Sequence, residues 1–196
     1  TTELGLLDGT MFIISCQYDQ SQVTANSTSI PVTLLSTPLC IDPKKNEGLT
    51  QTKAEPTNPL YSLDKQQSSL VYYDKNTIVL TMPYWVKVTN SSVEDSELKK
   101  HSFVLSYDPT TMKDTDTKLK LYISHVVDDA GETVTRSNFT YAYRAYSIRA
   151  ALTVFKEKTG KLPKYLELTA KTNSSKDELK EESGETSVEY DYAFTE

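Results

Sequence analysis

The chain has 196 residues, a formal net charge of −6 and a hydrophobic content of 37%. Its length suits one domain, and its acidic balance disfavours general nucleic-acid binding, which needs clustered Lys and Arg against the phosphates. Arg, the residue suited to bidentate phosphate contacts, occurs only at Arg136, Arg144 and Arg149. No apolar run reaches the roughly 18 residues of a membrane-spanning helix, so we expect no transmembrane segment.

The N-terminal third carries short apolar runs and one long aperiodic stretch. The runs at 10–18 and 30–36 predict strands. Residues 42–67 contain three prolines and no periodic pattern, which predicts a long irregular loop. The roughly 40 residues before this loop are too few for an independent core. We therefore predict one β-rich domain over 1–196 with this loop inside it.

The remaining sequence is dominated by a period of two residues, the signature of half-buried strands. It predicts strands at 69–73, 77–82, 84–89, 102–107, 118–127 and 138–146, with 133–136 continuing a hairpin. The second of these ends before Pro83, and the third follows directly after it. Many short strands separated by frequent turn signals are typical of an antiparallel β-sandwich.

One segment changes to the helical period and predicts an α-helix over 148–159, packed on a sheet edge or end. Ser147 is a suitable N-cap, and Gly160 suits the left-handed residue that ends a helix. A strand is predicted at 165–170, a mobile polar loop at 171–185, and a final strand at 187–195. The expected buried face of the helix comprises Ile148, Ala151, Leu152 and Phe155.

The sequence contains no motif that names a reaction. His101 and His125 lack a second His or Cys at metal-ligand spacing, and we interpret both as ordinary strand residues. No local pattern supports a nucleophile built from Cys16 and either His. Six glycines in the whole chain disfavour a nucleotide cradle. We therefore predict no catalytic residue, no cofactor and no metal; the acidic turns around Asp108 and Asp128 are interpreted as solvated.

Several weaker features point to export from the cytoplasm. Ser and Thr together make up 46 residues, which is common in exported β proteins. Cys16 and Cys40 could form one disulfide or remain two free thiols. Four Asn-x-Ser/Thr sequons are candidate glycosylation sites. They are Asn26, Asn90, Asn138 and Asn173.

Aromatic residues are the most informative candidates for ligand contact, because they offer large, rigid surfaces with polar tips. The alternative is that they pack in the core. Adjacent strand residues point to opposite faces, so in Tyr84–Trp85 we expect one buried and one exposed ring. The full candidate set is Tyr84, Trp85, Tyr141, Tyr143, Arg144 and Tyr146.

Together these features predict a secreted or cell-surface, non-catalytic binding or adhesion module that recognises glycan or protein. One alternative is a structural or receptor-binding domain of a virus or phage, which a tight trimer would favour. Another is an extracellular hydrolase acting on surface polymers, which a buried carboxylate pair in a cleft would favour.

Overall fold

The computed structural model describes residues 11–41, 49–180 and 183–194. It is mainly β, with 41% strand and 10% helix, and is consistent with a β-sandwich-like domain. The predicted fold class is therefore confirmed. Its contacts divide the chain into two compact units, Thr1–Lys45 and Asn46–Glu196. The prediction of one domain over the whole chain stays a prediction.

Residues 11–41, the described part of the first unit, form two short antiparallel ladders. Its elements are β1 (Met11–Ile13), β2 (Cys16–Gln17), a 3-10 helix (Gln20–Gln22), β3 (Thr33–Leu34) and β4 (Leu39–Ile41). β1 pairs with β4, and β2 pairs with β3. The apolar runs at 10–18 and 30–36 thus form strands of only two or three residues.

The second unit holds two larger sheets and one long helix. Its elements are β5 (Ser69–Asp74), β6 (Thr77–Val86), α1 (Asp95–Leu98), β7 (His101–Ser106), β8 (Lys118–Val127), β9 (Asn138–Ser147), α2 (Arg149–Thr159), β10 (Tyr165–Thr172) and β11 (Gly184–Asp191). One sheet has the order β5-β6-β9, and the other has the order β11-β10-β8-β7. β8 and β10 are parallel, unlike the antiparallel pairing that we expected. This is feasible because β9 and α2 form the crossover that parallel neighbours require.

The core is formed by residues of both sheets and of α2. In β8, Leu119 and Leu121 are fully buried, while the alternating Lys118 and Lys120 are exposed. Each buried Leu contributes about 1.5–3 kcal/mol relative to leaving it exposed. Tyr146 is also fully buried, and its hydroxyl donates to the Phe103 carbonyl oxygen (2.8 Å).

Helix α2 presents the predicted apolar face to the core. Ala151, Leu152 and Phe155 are buried, as is the preceding Ile148. Ile148 occupies the N-cap position instead of Ser147, which is the last residue of β9. At the other end Gly160 adopts a left-handed conformation (φ 73°), which costs glycine little because it has no Cβ.

Pro83 lies inside β6 and does not divide it as predicted. It pairs with Tyr141 of β9, and its carbonyl accepts from the Tyr61 N–H (3.0 Å) on the other side of the strand. The nitrogen and carbonyl of one strand residue point to the same side, so the missing N–H of Pro83 faces away from β9. No ladder bond to β9 is lost, and β6 continues through the proline.

The described part of the long irregular loop is tied to the sheets by single bridges. Leu60 pairs with Tyr84 of β6 and with Thr172 of β10, so it joins one end of both sheets. Residues 42–48 of this loop lie outside the described residues. Residues 133–136 form no strand, since Arg136 turns into the buried network described below.

Candidate functional site

A cluster of four aromatic rings lies where β6 and β9 meet the irregular loop. Tyr61 stacks on Phe139 with a centroid distance of 4.2 Å and packs edge-on against Trp85 at 5.0 Å. Phe139 in turn packs edge-on against Tyr141 at 5.9 Å. We call these four residues the aromatic cluster.

Strand register explains why these rings meet. Trp85 and Phe139 are direct cross-strand partners, and Phe139 and Tyr141 alternate onto the same face of β9. The Tyr61 N–H bond to Pro83 places Tyr61 beside β6. Phe139 remains 42% exposed and Tyr141 40% exposed, so the cluster presents ring surface to solvent.

Two hydroxyl-lined hollows adjoin this cluster. The first, of about 370 Å³, is lined by Tyr61, Ser62, Asp64, Asn173, Ser175 and Thr186, among others. The second, of about 280 Å³, is lined by residues including Trp85, Thr133, Thr135, Ser137, Ser175 and Asp177. Each hollow therefore shares one ring with the aromatic cluster, and Ser175 borders both.

The segment 173–177 forms the wall between the hollows and is held by specific hydrogen bonds. The Trp85 indole N–H donates to the Asn173 carbonyl oxygen (2.8 Å). The Asn173 side-chain oxygen accepts from the backbone N–H groups of Ser175 (2.9 Å) and Lys176 (3.1 Å). The local turn is thus an Asx-type motif attached to the aromatic cluster.

Beneath the second hollow lies a buried ionic network centred on Arg136, whose side chain is 1% exposed. Its guanidinium donates to Glu97 Oε1 (2.6 Å), to both oxygens of Asp129 (2.6 and 2.9 Å) and to Asp177 Oδ2 (3.3 Å). The Asn58 amide donates to the other Asp177 oxygen (3.0 Å). Asp177 therefore anchors segment 173–177 to Arg136 and to the irregular loop.

Electrostatic effects within this network differ between the carboxyls. Hydrogen bonds from Arg136 lower the pKa of Asp129. Burial raises the pKa of Glu97, but hydrogen bonds from the Lys87 N–H and Arg136 outweigh it and leave that pKa below its ordinary value. Burial raises the pKa of Asp177 above its ordinary value. Asp177 is thus the carboxyl that acid neutralises first.

A stacked pair of buried histidines continues the network. His101 Nε2 lies 3.2 Å from Glu97 Oε1, and His101 Nδ1 lies 2.9 Å from His125 Nε2. His125 Nδ1 lies 3.1 Å from the Pro59 carbonyl oxygen. Burial lowers the pKa of His101 and lowers that of His125 to about 3, where the nearby His101 adds to the effect. We call these two residues the histidine pair.

The expectation of one exposed ring in Tyr84–Trp85 is wrong, and ligand contact by the predicted aromatic set stays a prediction. Tyr84 and Tyr146 point into the core, and Trp85 is covered by Tyr61, so all three are buried. Tyr143 and Arg144 are half-buried, and Arg144 lies over the Phe103 ring. Of the predicted set only Tyr141 is exposed.

Two members of the cluster were absent from the predicted contact set. Phe139 alternates with Tyr141 along β9, a pattern that was visible in the sequence. Tyr61 belongs to the aperiodic loop, where no sequence pattern indicates the direction of a side chain.

The remaining candidates are distributed over the surface. Cys16 and Cys40 are both free cysteines, the second of the two alternatives. Asn26, Asn90 and Asn138 are exposed, whereas Asn173 is half-buried and its amide also donates to the Glu178 carbonyl (3.3 Å). Their glycosylation stays a prediction.

Residues 11–41, 49–180 and 183–194 contain no group of three or more His, Cys, Asp or Glu residues arranged to hold a metal ion. Within the same ranges, no helix is both long and apolar enough to cross a membrane.

Comparison with solved structures identifies similar proteins from Bacteroides and Parabacteroides species. A candidate lipoprotein from Bacteroides fragilis aligns with a TM-score of 0.77 and 29% identity over 97% of this chain and 85% of its own. An uncharacterised Parabacteroides merdae protein (TM-score 0.52, 15% identity) aligns over 93% of this chain and 82% of its own. A Bacteroides vulgatus protein of unknown function (TM-score 0.51, 7% identity) aligns over 95% of this chain and 72% of its own. The last two show similarity of fold alone. No protein-family model and no curated protein matches the chain.

Proposed function

We propose that this chain is an envelope-associated binding module that recognises neutral glycans through the aromatic cluster and the two hollows beside it. The observation that carries the proposal is the exposed ring surface of Phe139 and Tyr141, in a cluster whose other two rings, Tyr61 and Trp85, each line a hydroxyl-bearing hollow. The likeness to a candidate lipoprotein from Bacteroides fragilis supports placement at the cell envelope.

The chemistry of the surface suits a sugar. Aromatic rings pack against the apolar C–H faces of pyranose rings, and neighbouring polar groups then fix the orientation of the bound ring. In the first hollow Ser62, Thr172 and Thr186 line the surface beside Tyr61. Hydroxyl groups both donate and accept, so they match the hydroxyls of a sugar without requiring charge.

The charge of the protein favours a neutral ligand. Its formal net charge is −6, so long-range attraction to sulfated, phosphorylated or uronic-acid glycans is absent. In the second hollow Arg136 is already engaged with three carboxylates and is not available as an anion receptor. Lys176 lines the same hollow beside Asp177 and Glu178, which oppose its charge.

Binding should be tested on the full chain with a glycan array, followed by calorimetry with the strongest neutral oligosaccharide. We expect Phe139→Ala and Tyr141→Ala each to weaken binding by about tenfold or more, equivalent to about 1.4 kcal/mol. Tyr73→Ala is the matched control, because Tyr73 is a strand tyrosine that is 71% exposed and lies on β5, outside the cluster. Failure of all neutral glycans to bind, or unchanged binding by both cluster variants, would contradict the proposal.

A further inference from the structure

His125 of the histidine pair is bonded to one of two linked segments that also build the proposed glycan site. His125 contacts the Pro59 carbonyl, and its own carbonyl accepts from the Thr57 N–H (3.0 Å). Asn58 links the same segment to Asp177. We call residues 57–61 and 173–177 the cap. The cap carries Tyr61 and Asn173, so its position determines the first hollow and the contact to Trp85.

The geometry limits how many protons the pair can hold while the cap is closed. Pro59 offers only an acceptor, so His125 Nδ1 must carry hydrogen. The ionised Glu97 also offers only acceptors, so His101 Nε2 must carry hydrogen to bond with it. The contact of 2.9 Å between the two rings has room for one hydrogen. The closed pair therefore holds at most three hydrogens, which is one imidazolium.

A fourth hydrogen would place an N–H group against another N–H group across this contact. It would also put a second positive charge beside Arg136 in a site where Phe103 stacks on His125. Once the cap is lifted, His125 loses its bond to Pro59 and can move away from His101, so four hydrogens are accommodated, and a ring that reaches water has a pKa near the ordinary value of about 6.5. By linkage, acid favours the open state because it binds more protons.

The other titratable groups that face the pair do not change the direction of this effect, in which acid favours the open cap. Glu97 and Asp129 favour a charge on His101, and Arg136 opposes it. Burial raises the pKa of Tyr84, which packs on both rings, to about 12, so it stays neutral. On the cap side, protonation of Asp177 in acid weakens its bond to Arg136 and also favours opening.

We propose that the histidine pair is an acid-sensitive latch that holds the cap closed at neutral pH and releases it when both rings become protonated. Its consequence for ligand binding rests on the proposed function, since the cap supplies Tyr61 and Asn173 to the glycan site. The latch itself can be measured without any ligand.

The experiment uses the full chain, which contains only two histidines and one tryptophan. Imidazole resonances should show no more than one imidazolium in the pair while the cap is closed, and the second ring should become protonated only as the cap opens. Amide exchange of the cap, corrected for intrinsic rates, should accelerate by up to about tenfold per pH unit below about pH 6.5 for each proton excluded. Trp85 fluorescence should change over the same range, because its bond to Asn173 is broken.

Two variants separate the latch from ordinary cap mobility. His125→Gln cannot take up the fourth hydrogen, so its cap exchange should depend less steeply on pH than that of the parent protein, with only the contribution of Asp177 remaining. Asn58→Ala removes the bond to Asp177 outside the histidine pair. Its cap should exchange faster at every pH while keeping a clear acid dependence, and this keeps the proposal testable if His125→Gln does not fold.

The proposal is overturned if both imidazoles titrate near pH 6.5 with unchanged cap exchange. It is also overturned if the β6–β9 amides lose protection together with the cap, because acid would then act by global unfolding. Failure of the glycan proposal is distinguishable. An acid-labile cap without any glycan ligand leaves the latch standing. Equal glycan binding at about pH 7 and pH 4.5 with an acid-labile cap overturns only the effect of the latch on ligand binding.

Discussion

Replacing Arg136 with Ala should be among the most damaging single substitutions in the second unit. The guanidinium is 1% exposed and satisfies Glu97, Asp129 and Asp177 together. Its removal leaves buried carboxylates without their counter-charge, at a cost of about 3–5 kcal/mol. Typical domains have a free energy of unfolding of about 5–15 kcal/mol, so this loss would be a large fraction of the total stability.

The pH dependence of this loss follows from the carboxyl pKa values. In the parent protein Arg136 lowers the pKa of Asp129, so this pair stabilises the fold above the ordinary carboxyl pKa and loses that effect as pH falls. Without Arg136 the buried carboxyls have raised pKa values, so the variant is most strained at neutral pH. Acid neutralises them and narrows the difference in free energy of unfolding between the two proteins.

Urea denaturation at about pH 7 and about pH 4.5 measures both effects. Arg149→Ala is the control, because Arg149 is an exposed arginine on α2 and should change stability by no more than about 0.5 kcal/mol. If Arg136→Ala lowers the free energy of unfolding by less than about 1 kcal/mol at pH 7, Arg136 is not an essential counter-charge for these carboxylates. A loss that is equal at the two pH values would refute the assignment of its cause to unpaired carboxylates.

Other predictions concern the fold. Leu152→Asp or Phe155→Asp places a charge on the buried face of α2, and each should abolish cooperative thermal unfolding by circular dichroism. Gly160→Val should lower stability by about 1–2 kcal/mol, because a β-branched residue is strained at φ 73°; an equal loss in Gly160→Asn would contradict this cause. Reducing agent should leave the melting temperature unchanged, since Cys16 and Cys40 are free; a decrease would show that they are bridged.

The sequence predicted strand bounds best where apolar and polar residues alternate regularly between two turn signals. β8 has the predicted bounds, because buried leucines alternate with exposed lysines between two turn signals. The prediction failed at Pro83. A strand accepts a proline where the missing N–H points away from the neighbouring strand, as it points away from β9 here. That direction is a property of the assembled sheet and cannot be read from the proline itself.

The candidate site was only partly predictable for a related reason. His101 and His125 are 24 residues apart and looked like ordinary strand residues. The β7–β8 register pairs His101 with Val127 and Phe103 with His125, so the two histidines are diagonal neighbours on one face. A single residue of slip would place His101 opposite the other face. The pair thus depends on register, which periodicity does not determine.

The buried network is better explained by positioning than by stability. Buried ion pairs recover little more than the cost of removing their charges from water, and apolar residues of similar volume often stabilise a fold as well or better. Apolar replacements, however, could not hold Asp177 and Asn58 in one fixed arrangement. Directional bonds to Arg136 fix segment 173–177 against β6, and so fix Asn173 against the only tryptophan. The network therefore sets the geometry of the two hollows. Because the histidine pair can hold only three hydrogens while the cap is closed, the proposed latch would make the same geometry depend on pH.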